Sequence, residues 1–193
     1  MIYKKIIIFI FLFFLFTNIP LKASDRFEEL VELCNSCHSE ENIHLDASVP
    51  NILGQHFFYI YTQLKDYKSL RRNHEIMSAI SIDLTKDEMK ILAKYFSEKK
   101  WISFKSKNDF AHDHKAERIL YAAGRNSCNK CHEGFLGLNG VPRLAGQKSY
   151  YLNLTMIAYK KKTRLNAPTK NTILKDLADD EIKNISLYLS NFR

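Results

Sequence analysis

The hydrophobic pattern opens on a single block. Ile6 to Phe16 is an unbroken apolar run of 11 residues, preceded by Lys4 and Lys5 and followed by a polar stretch ending at Ala23. A basic start, a run of this length and a small-residue exit make a secretory signal peptide, expected to leave with residues 1–23. The run is short of the roughly 18 residues of a membrane span. The alternative is an uncleaved anchor, because Leu21 is large for its place three residues before the cut.

Beyond this block the apolar positions recur with helical spacing. Asp25-Arg26-Phe27-Glu28 reads as a capping box opening a helix towards Cys34, and Lys115 to Ala123, stopped by Gly124, reads as its counterpart. A later helix presents Tyr59, Gln63 and Tyr67 on one face, and another presents Tyr151, Thr155 and Tyr159. Met89, Leu92, Tyr95 and Phe96, and again Ile182, Ile185, Tyr188 and Leu189, fall at i, i+3, i+6 and i+7, the buried stripe of a helix. Thr85 and Glu88 form a capping box, whereas Ala178 leaves the matching helix without its cap. Arg164–Leu177 reads as a loop and His74 as a loop histidine, and no alternating strand pattern stands out, so the fold class expected is all-α. The polar stretch Ser103 to Asp113 marks a boundary between domains 24–106 and 107–193.

These elements occur twice. Val49-Pro50-Asn51-Ile52-Leu53-Gly54-Gln55 matches Val141-Pro142-Arg143-Leu144-Ala145-Gly146-Gln147 at an offset of 92, as Tyr59, Tyr67, Lys68 and Arg72 match Tyr151, Tyr159, Lys160 and Arg164. Leu84-Thr85-Lys86-Asp87-Glu88-Met89 matches Leu177-Ala178-Asp179-Asp180-Glu181-Ile182 at 93. A long period present only twice is a duplicated domain and not a solenoid.

Composition and charge enter only after the leader is set aside. The formal charge is +8, but removing Lys4, Lys5 and Lys22 leaves 26 basic against 21 acidic side chains, or +5. Export would suggest that the four cysteines form two disulfides. Their spacing points elsewhere: Cys34-Asn35-Ser36-Cys37-His38 and Cys128-Asn129-Lys130-Cys131-His132 are two Cys-x-x-Cys-His motifs at an offset of 94. This is the attachment signature of c-type haem. Two thiols from one turn of chain add to the porphyrin vinyls, and the next imidazole ligates the iron. Redox dithiols need no histidine after each pair, and a four-cysteine zinc site spaces its knuckles far more closely. Two covalently bound haems c are therefore expected, held by Cys34, Cys37, Cys128 and Cys131, with His38 and His132 on the irons. Each repeat of about 85 residues is small for a stable core, and a buried porphyrin would help to fill it.

Tandem haem motifs, the Val-Pro-x-x-x-Gly-Gln element and the Tyr-x-x-x-Gln-Leu-x-x-Tyr-x-x-x-x-Arg helix together resemble the cytochrome c4 family, the dihaem class I cytochromes c. The resemblance spans residues 25–192. It implies two tandem class I cytochrome c domains, each wrapped around one haem, in a periplasmic electron carrier between a quinol-oxidising complex and a terminal oxidase. It also implies that Pro50 and Pro142 lend carbonyls to the proximal imidazoles. Repeat position suggests Arg72 and Arg164 as partners of the haem propionates, with Tyr59, Tyr67, Tyr151 and Tyr159 packed near the rings.

The family closes the sixth iron position with a methionine about five residues after the arginine, which is Met77 in the first repeat, with His74 as its competitor. The second repeat departs from the pattern. Counting from Arg164 reaches Thr169, counting back from Leu177 reaches Lys170, and no histidine follows His132. That haem is then open or water-bound, or is closed by Lys170, or by one of Met156, Asn171, His112 and His114.

The function expected first is electron transfer with redox proteins as donor and acceptor, and no substrate chemistry. An open second iron admits a runner-up: a dihaem enzyme or a binder of peroxide or nitric oxide. The second-repeat loop offers Lys170 and Asp176 but no histidine for acid–base work, so any peroxidase-type activity should be weak. A haem subunit of a membrane oxidase is a third reading, tied to an uncleaved leader. Lys160-Lys161-Lys162 with Arg164 either ends a helix or steers an acidic partner. A nucleic-acid partner is not expected of an exported haem protein.

Overall fold

A computed structural model describes residues 23–104, 114–122 and 127–192. The signal block up to residue 22, most of the boundary stretch, His112, Ala123 and Gly124 lie outside the described residues. The chain divides after Leu33 into two units. The first contributes the start of helix α1 (Ala23–His38), in which Leu30 and Val31 are buried. Because α1 begins at Ala23, Asp25 lies within its first turn instead of capping it. There its carboxylate suits the positive end of the helix dipole.

The second unit is helical. It holds α2 (Phe57–Lys68), α3 (Glu75–Ile82), α4 (Lys86–Ser97), α5 (His114–Leu120), α6 (Cys128–Cys131), a 3₁₀ turn (Glu133–Phe135), α7 (Ser149–Lys160), α8 (Pro168–Leu174) and α9 (Asp179–Asn191). Among the described residues only an isolated bridge, Leu138 with Val141, is strand-like. None of the described helices is long and apolar enough to cross a membrane. Helices α3 and α8 fall where loops were expected. At eight and seven residues they are too short to be read from propensity, and α8 takes its start from Pro168.

The repeat of sequence is a repeat of packing. Helix α2 packs on α3 and α4 as α7 packs on α8 and α9. Gly54 N–H donates to Phe96 O at 2.8 Å, and Gly146 N–H to Leu189 O at 2.9 Å. Lys68 Nζ reaches Leu84 O at 2.7 Å, and Lys160 Nζ reaches Leu177 O at 2.6 Å. Lys160 also pairs with Asp179 at 2.6 Å, so it braces α9 and is not a free member of a basic patch. Met89, Leu92 and Phe96 are buried on α4 and Ile182, Ile185, Tyr188 and Leu189 on α9, while Tyr95 is only half-buried. Phe135 meets Phe192 edge-on at 4.9 Å in the second-half core. The α4 cap is the expected box: Thr85 Oγ1 accepts from Glu88 N at 3.2 Å and Glu88 from Thr85 N at 2.7 Å. On α9 only Glu181 contributes, accepting from Ala178 N at 2.9 Å.

The two halves of this unit clamp each other reciprocally. Gln147 Oε1 accepts from Asn51 N at 2.9 Å and its Nε2 donates to Asn51 O at 2.8 Å. At the matching position Gln55 Oε1 accepts from Arg143 N at 2.9 Å and its Nε2 donates to Arg143 O at 3.0 Å. The next residues follow suit: His56 Nε2 donates to Leu136 O at 2.9 Å, and Lys148 Nζ to the carbonyls of Ile43 and Asp46. Residue i of one half binding residue j of the other, and the reverse, is the signature of two-fold symmetry. The preceding glycines are required by both conformation and space. Gly54 and Gly146 have φ of +73° and +71°, and a Cβ on Gly54 would lie 2.7 Å from Lys99 O and Trp101 N. Trp101 sits at this junction, with the Arg143 guanidinium 5.1 Å above its ring.

Candidate functional site

The last turn of α1 carries Cys34, Cys37 and His38; α6 carries Cys128 and Cys131, with His132 directly after it. A spacing of i, i+3 puts both thiols of a pair on one helical face. None of the four cysteines is in a disulfide; Cys34 and Cys128 are half-buried and Cys37 and Cys131 exposed. Burial, with Cys37 adding to it, pushes the Cys34 thiol up to about 11, and burial likewise raises Cys128.

Both histidines are buried, and each is fixed by its own prolyl carbonyl. His38 Nδ1 lies 3.1 Å from Pro50 O, and His132 Nδ1 lies 2.9 Å from Pro142 O. A carbonyl only accepts, so Nδ1 carries the hydrogen and Nε2 keeps its lone pair. Burial holds both imidazoles down to about 4, hence neutral, with the Lys148 charge adding at His38 and that of Lys170 at His132. A neutral imidazole with an oriented, unprotonated Nε2 is what an iron requires of its ligand.

Arg72 and Arg164 are brought together from opposite halves, both buried. Gln63 Oε1 accepts from Arg72 Nη1 at 2.8 Å, Arg164 Nη2 at 2.9 Å and Asn166 Nδ2 at 3.1 Å. Arg72 Nη2 donates to Tyr151 OH at 3.1 Å, and Tyr59 is hydrogen-bonded to Arg164, so each tyrosine serves the arginine of the other half. Arg72 also stacks 4.5 Å over Tyr67, and Arg164 4.6 Å over Tyr159. Burial opposes ionisation of Tyr151, but the two guanidiniums overcome it and draw the phenol down to about 7. Buried Asp66 pairs with Arg71 at 2.6 Å and accepts from Asn166 at 2.8 Å. Arg164 Nη1 is buried with no partner among the described residues. An orphaned guanidinium N–H beside a second buried arginine suits an anionic group, such as a haem propionate. With free thiol pairs and neutral imidazoles, the residues present fit covalent haem in both halves.

The positions expected to supply the sixth ligands distinguish the halves. Met77 is the third residue of α3, half-buried; His74 is its N-cap, with Nδ1 accepting from Met77 N at 3.3 Å. In α8 the third residue is Lys170, half-buried, and Ala167 stands at the N-cap. The register of 93 holds through both helices. Residues 78–83 and 171–176 share one order of burial, and Leu84 and Leu177 follow at the same offset. Thr169 therefore corresponds to Ile76, and both are exposed. Burial lowers the Lys170 ammonium from its usual range, with the Arg164 charge acting in the same sense.

The remaining candidates among the described residues are engaged elsewhere. Asn171 is buried and donates to Tyr159 O at 2.6 Å and Arg164 O at 3.2 Å. Met156 packs against the second-half core, and exposed His114 lies 3.5 Å from Glu117. Sequence reasoning missed Gln55, Gln147, His56 and Lys148 as the ties that bring the two sites together. Repetition of Gly-Gln was the only signal, and it says nothing of which half each glutamine binds.

No family model matches the chain. Cytochrome c4 of Thiocapsa roseopersicina is 30% identical over 169 residues, covering 81% of this chain and 85% of that protein. A thiosulfate dehydrogenase electron acceptor of Stutzerimonas stutzeri is 28% identical over 169 residues, covering 82% of this chain and 78% of that protein. Among solved structures, Acidithiobacillus ferrooxidans cytochrome c4 superposes with a TM-score of 0.73 at 27% identity, covering 82% of this chain and 98% of that one.

Proposed function

The chain belongs to the cytochrome c4 family, carrying two covalent haems c on tandem class I cytochrome c domains as an electron carrier, and on that premise we propose a periplasmic shuttle with two unlike haems. Its donor is a quinol-oxidising complex and its acceptor a terminal oxidase. A dehydrogenase donor, of the kind named for the Stutzerimonas relative, would use the same carrier chemistry. The leader of residues 1–23 directs export, and the domains are 24–106 and 107–193.

The haem irons supply the one-electron couple. Cys34 and Cys37 tether the first ring and Cys128 and Cys131 the second, while Pro50 and Pro142 hold His38 and His132 in the ligating tautomer. Met77 would supply the sixth ligand of the first iron; at the matching position the second half holds Lys170 and no methionine. Thioether ligation favours ferrous iron, so the first site has the higher potential. Arg72 and Arg164 meet the propionates, and their shared contact on Gln63 brings the propionate-binding groups of the two halves together.

The observation carrying this reading is the pair of oriented, neutral imidazoles, each on its own prolyl carbonyl, together with two buried arginines brought to one glutamine from the two halves. Beside His132 the described residues offer Lys170 and no second histidine, a poor set for peroxide chemistry. Potentiometric titration of the purified holoprotein, with ferric spectra alongside, tests the proposal. Two separated reduction steps and a methionine–iron signature from one haem are expected. Overlapping steps with that signature from both haems would sink it, and rapid peroxide turnover would favour an enzyme.

A further inference from the structure

We propose that Lys170 is the sixth ligand of the second haem, so that one iron is closed by a thioether and the other by an amine. This rests on the reading that no methionine reaches that iron. The argument is one of register. From the third position of α3 and α8 through to Asp83 and Asp176, the two halves keep one offset of 93 and one order of buried and exposed residues, and Leu84 and Leu177 follow at the same offset. Lys170 thus holds the place of Met77, half-buried like it, while Thr169 falls with Ile76 on the exposed side.

The side chain is also uncommitted. Lys148 donates to the Ile43 and Asp46 carbonyls, and Lys160 to Leu177 O and Asp179. Among the described residues the Lys170 amine has no carboxylate or carbonyl partner; it lies 5.9 Å over the Tyr159 ring, close enough to Cys131 and His132 for charges to be felt. Among the described residues Asn171 is spoken for, since both hydrogen bonds of its amide go to backbone carbonyls. A half-buried ammonium without an acid beside it is poorly solvated, whereas the neutral amine is a good nitrogen donor. On binding, the ammonium releases one proton to solvent and the freed nitrogen lone pair forms the bond to iron. No electron changes hands. A nitrogen donor lacks the preference of a thioether for ferrous iron, which accounts for two unlike potentials within one chain.

The test is electron paramagnetic resonance and near-infrared magnetic circular dichroism of the ferric holoprotein, wild type against K170A, K170M and T169A. The wild type should show one histidine–methionine and one histidine–amine low-spin haem. K170A should lose the amine signature and turn that haem high-spin. K170M, which conserves bulk if the alanine variant folds poorly, should show a second methionine signature and a raised lower potential. T169A should leave both haems as they were. A second haem that is high-spin in the wild type, or the same in wild type, K170A and K170M, overturns the assignment but leaves the two-unlike-haems reading standing. Two methionine signatures in the wild type overturn both.

Discussion

Replacing Gln147 by alanine should cost more than a surface-like polar side chain would suggest, because the damage falls on the other half of the molecule. Gln147 is 3% exposed and Asn51 1%. The substitution leaves Asn51 N–H and Asn51 C=O buried without the partners they have at 2.9 and 2.8 Å, and removes the 2.9 Å acceptor of Lys148 N–H. An orphaned buried polar group costs about 1–3 kcal/mol. Taking about 2 kcal/mol for each of the two Asn51 groups, less the about 1–2 kcal/mol of side-chain entropy regained by truncation, gives a net loss of about 2–3 kcal/mol. Q55A should behave alike through Arg143. The two clamps hold one interface, so the double variant should lose less than the sum of the single losses, with a coupling of about 1 kcal/mol. The measurement is denaturant unfolding of the holoproteins followed by far-ultraviolet circular dichroism. A loss below about 0.5 kcal/mol for Q147A, the level of an ordinary surface change, would refute the reasoning.

Two further outcomes rest on local geometry. Thr85→Ala removes one half of a complete capping box and should cost about 1 kcal/mol, whereas Ala178→Thr completes a half-built one and should add about 0.5–1 kcal/mol; opposite shifts in thermal midpoint check both. The two guanidiniums hold the Tyr151 phenol below its ordinary range, so the folded protein should show an ultraviolet tyrosinate step earlier than the unfolded chain and absent from Y151F. A folded pKa below the unfolded one means that the stability Tyr151 contributes is lost as pH falls through the folded value. A tyrosinate step confined to pH 10 and above would contradict the placement of the two guanidiniums beside it.

Much of this protein can be read along the chain because covalent chemistry and helical period are local properties. Cys-x-x-Cys-His places two thiols and an imidazole within one turn whatever surrounds them, and the stripes on α4 and α9 follow from spacing alone. The offsets of 92 to 94 likewise made the duplication plain. Other features depended on partners distant in sequence. The helices α3 and α8 are too short to announce themselves, so counting left Thr169 and Lys170 tied until the burial register separated them. Lys160 looked like one of three surface lysines, yet it braces a carbonyl 17 residues away. The glutamines reach furthest: Gln147 completes a backbone 96 residues earlier. A hydrogen bond across such a span leaves no period in the sequence, because its energy depends on where two folded surfaces meet. Sequence by itself determined the two Cys-x-x-Cys-His motifs and the helical class; only the tertiary structure decided which half each glutamine and arginine serves, and which residue of the second half shares the register of Met77.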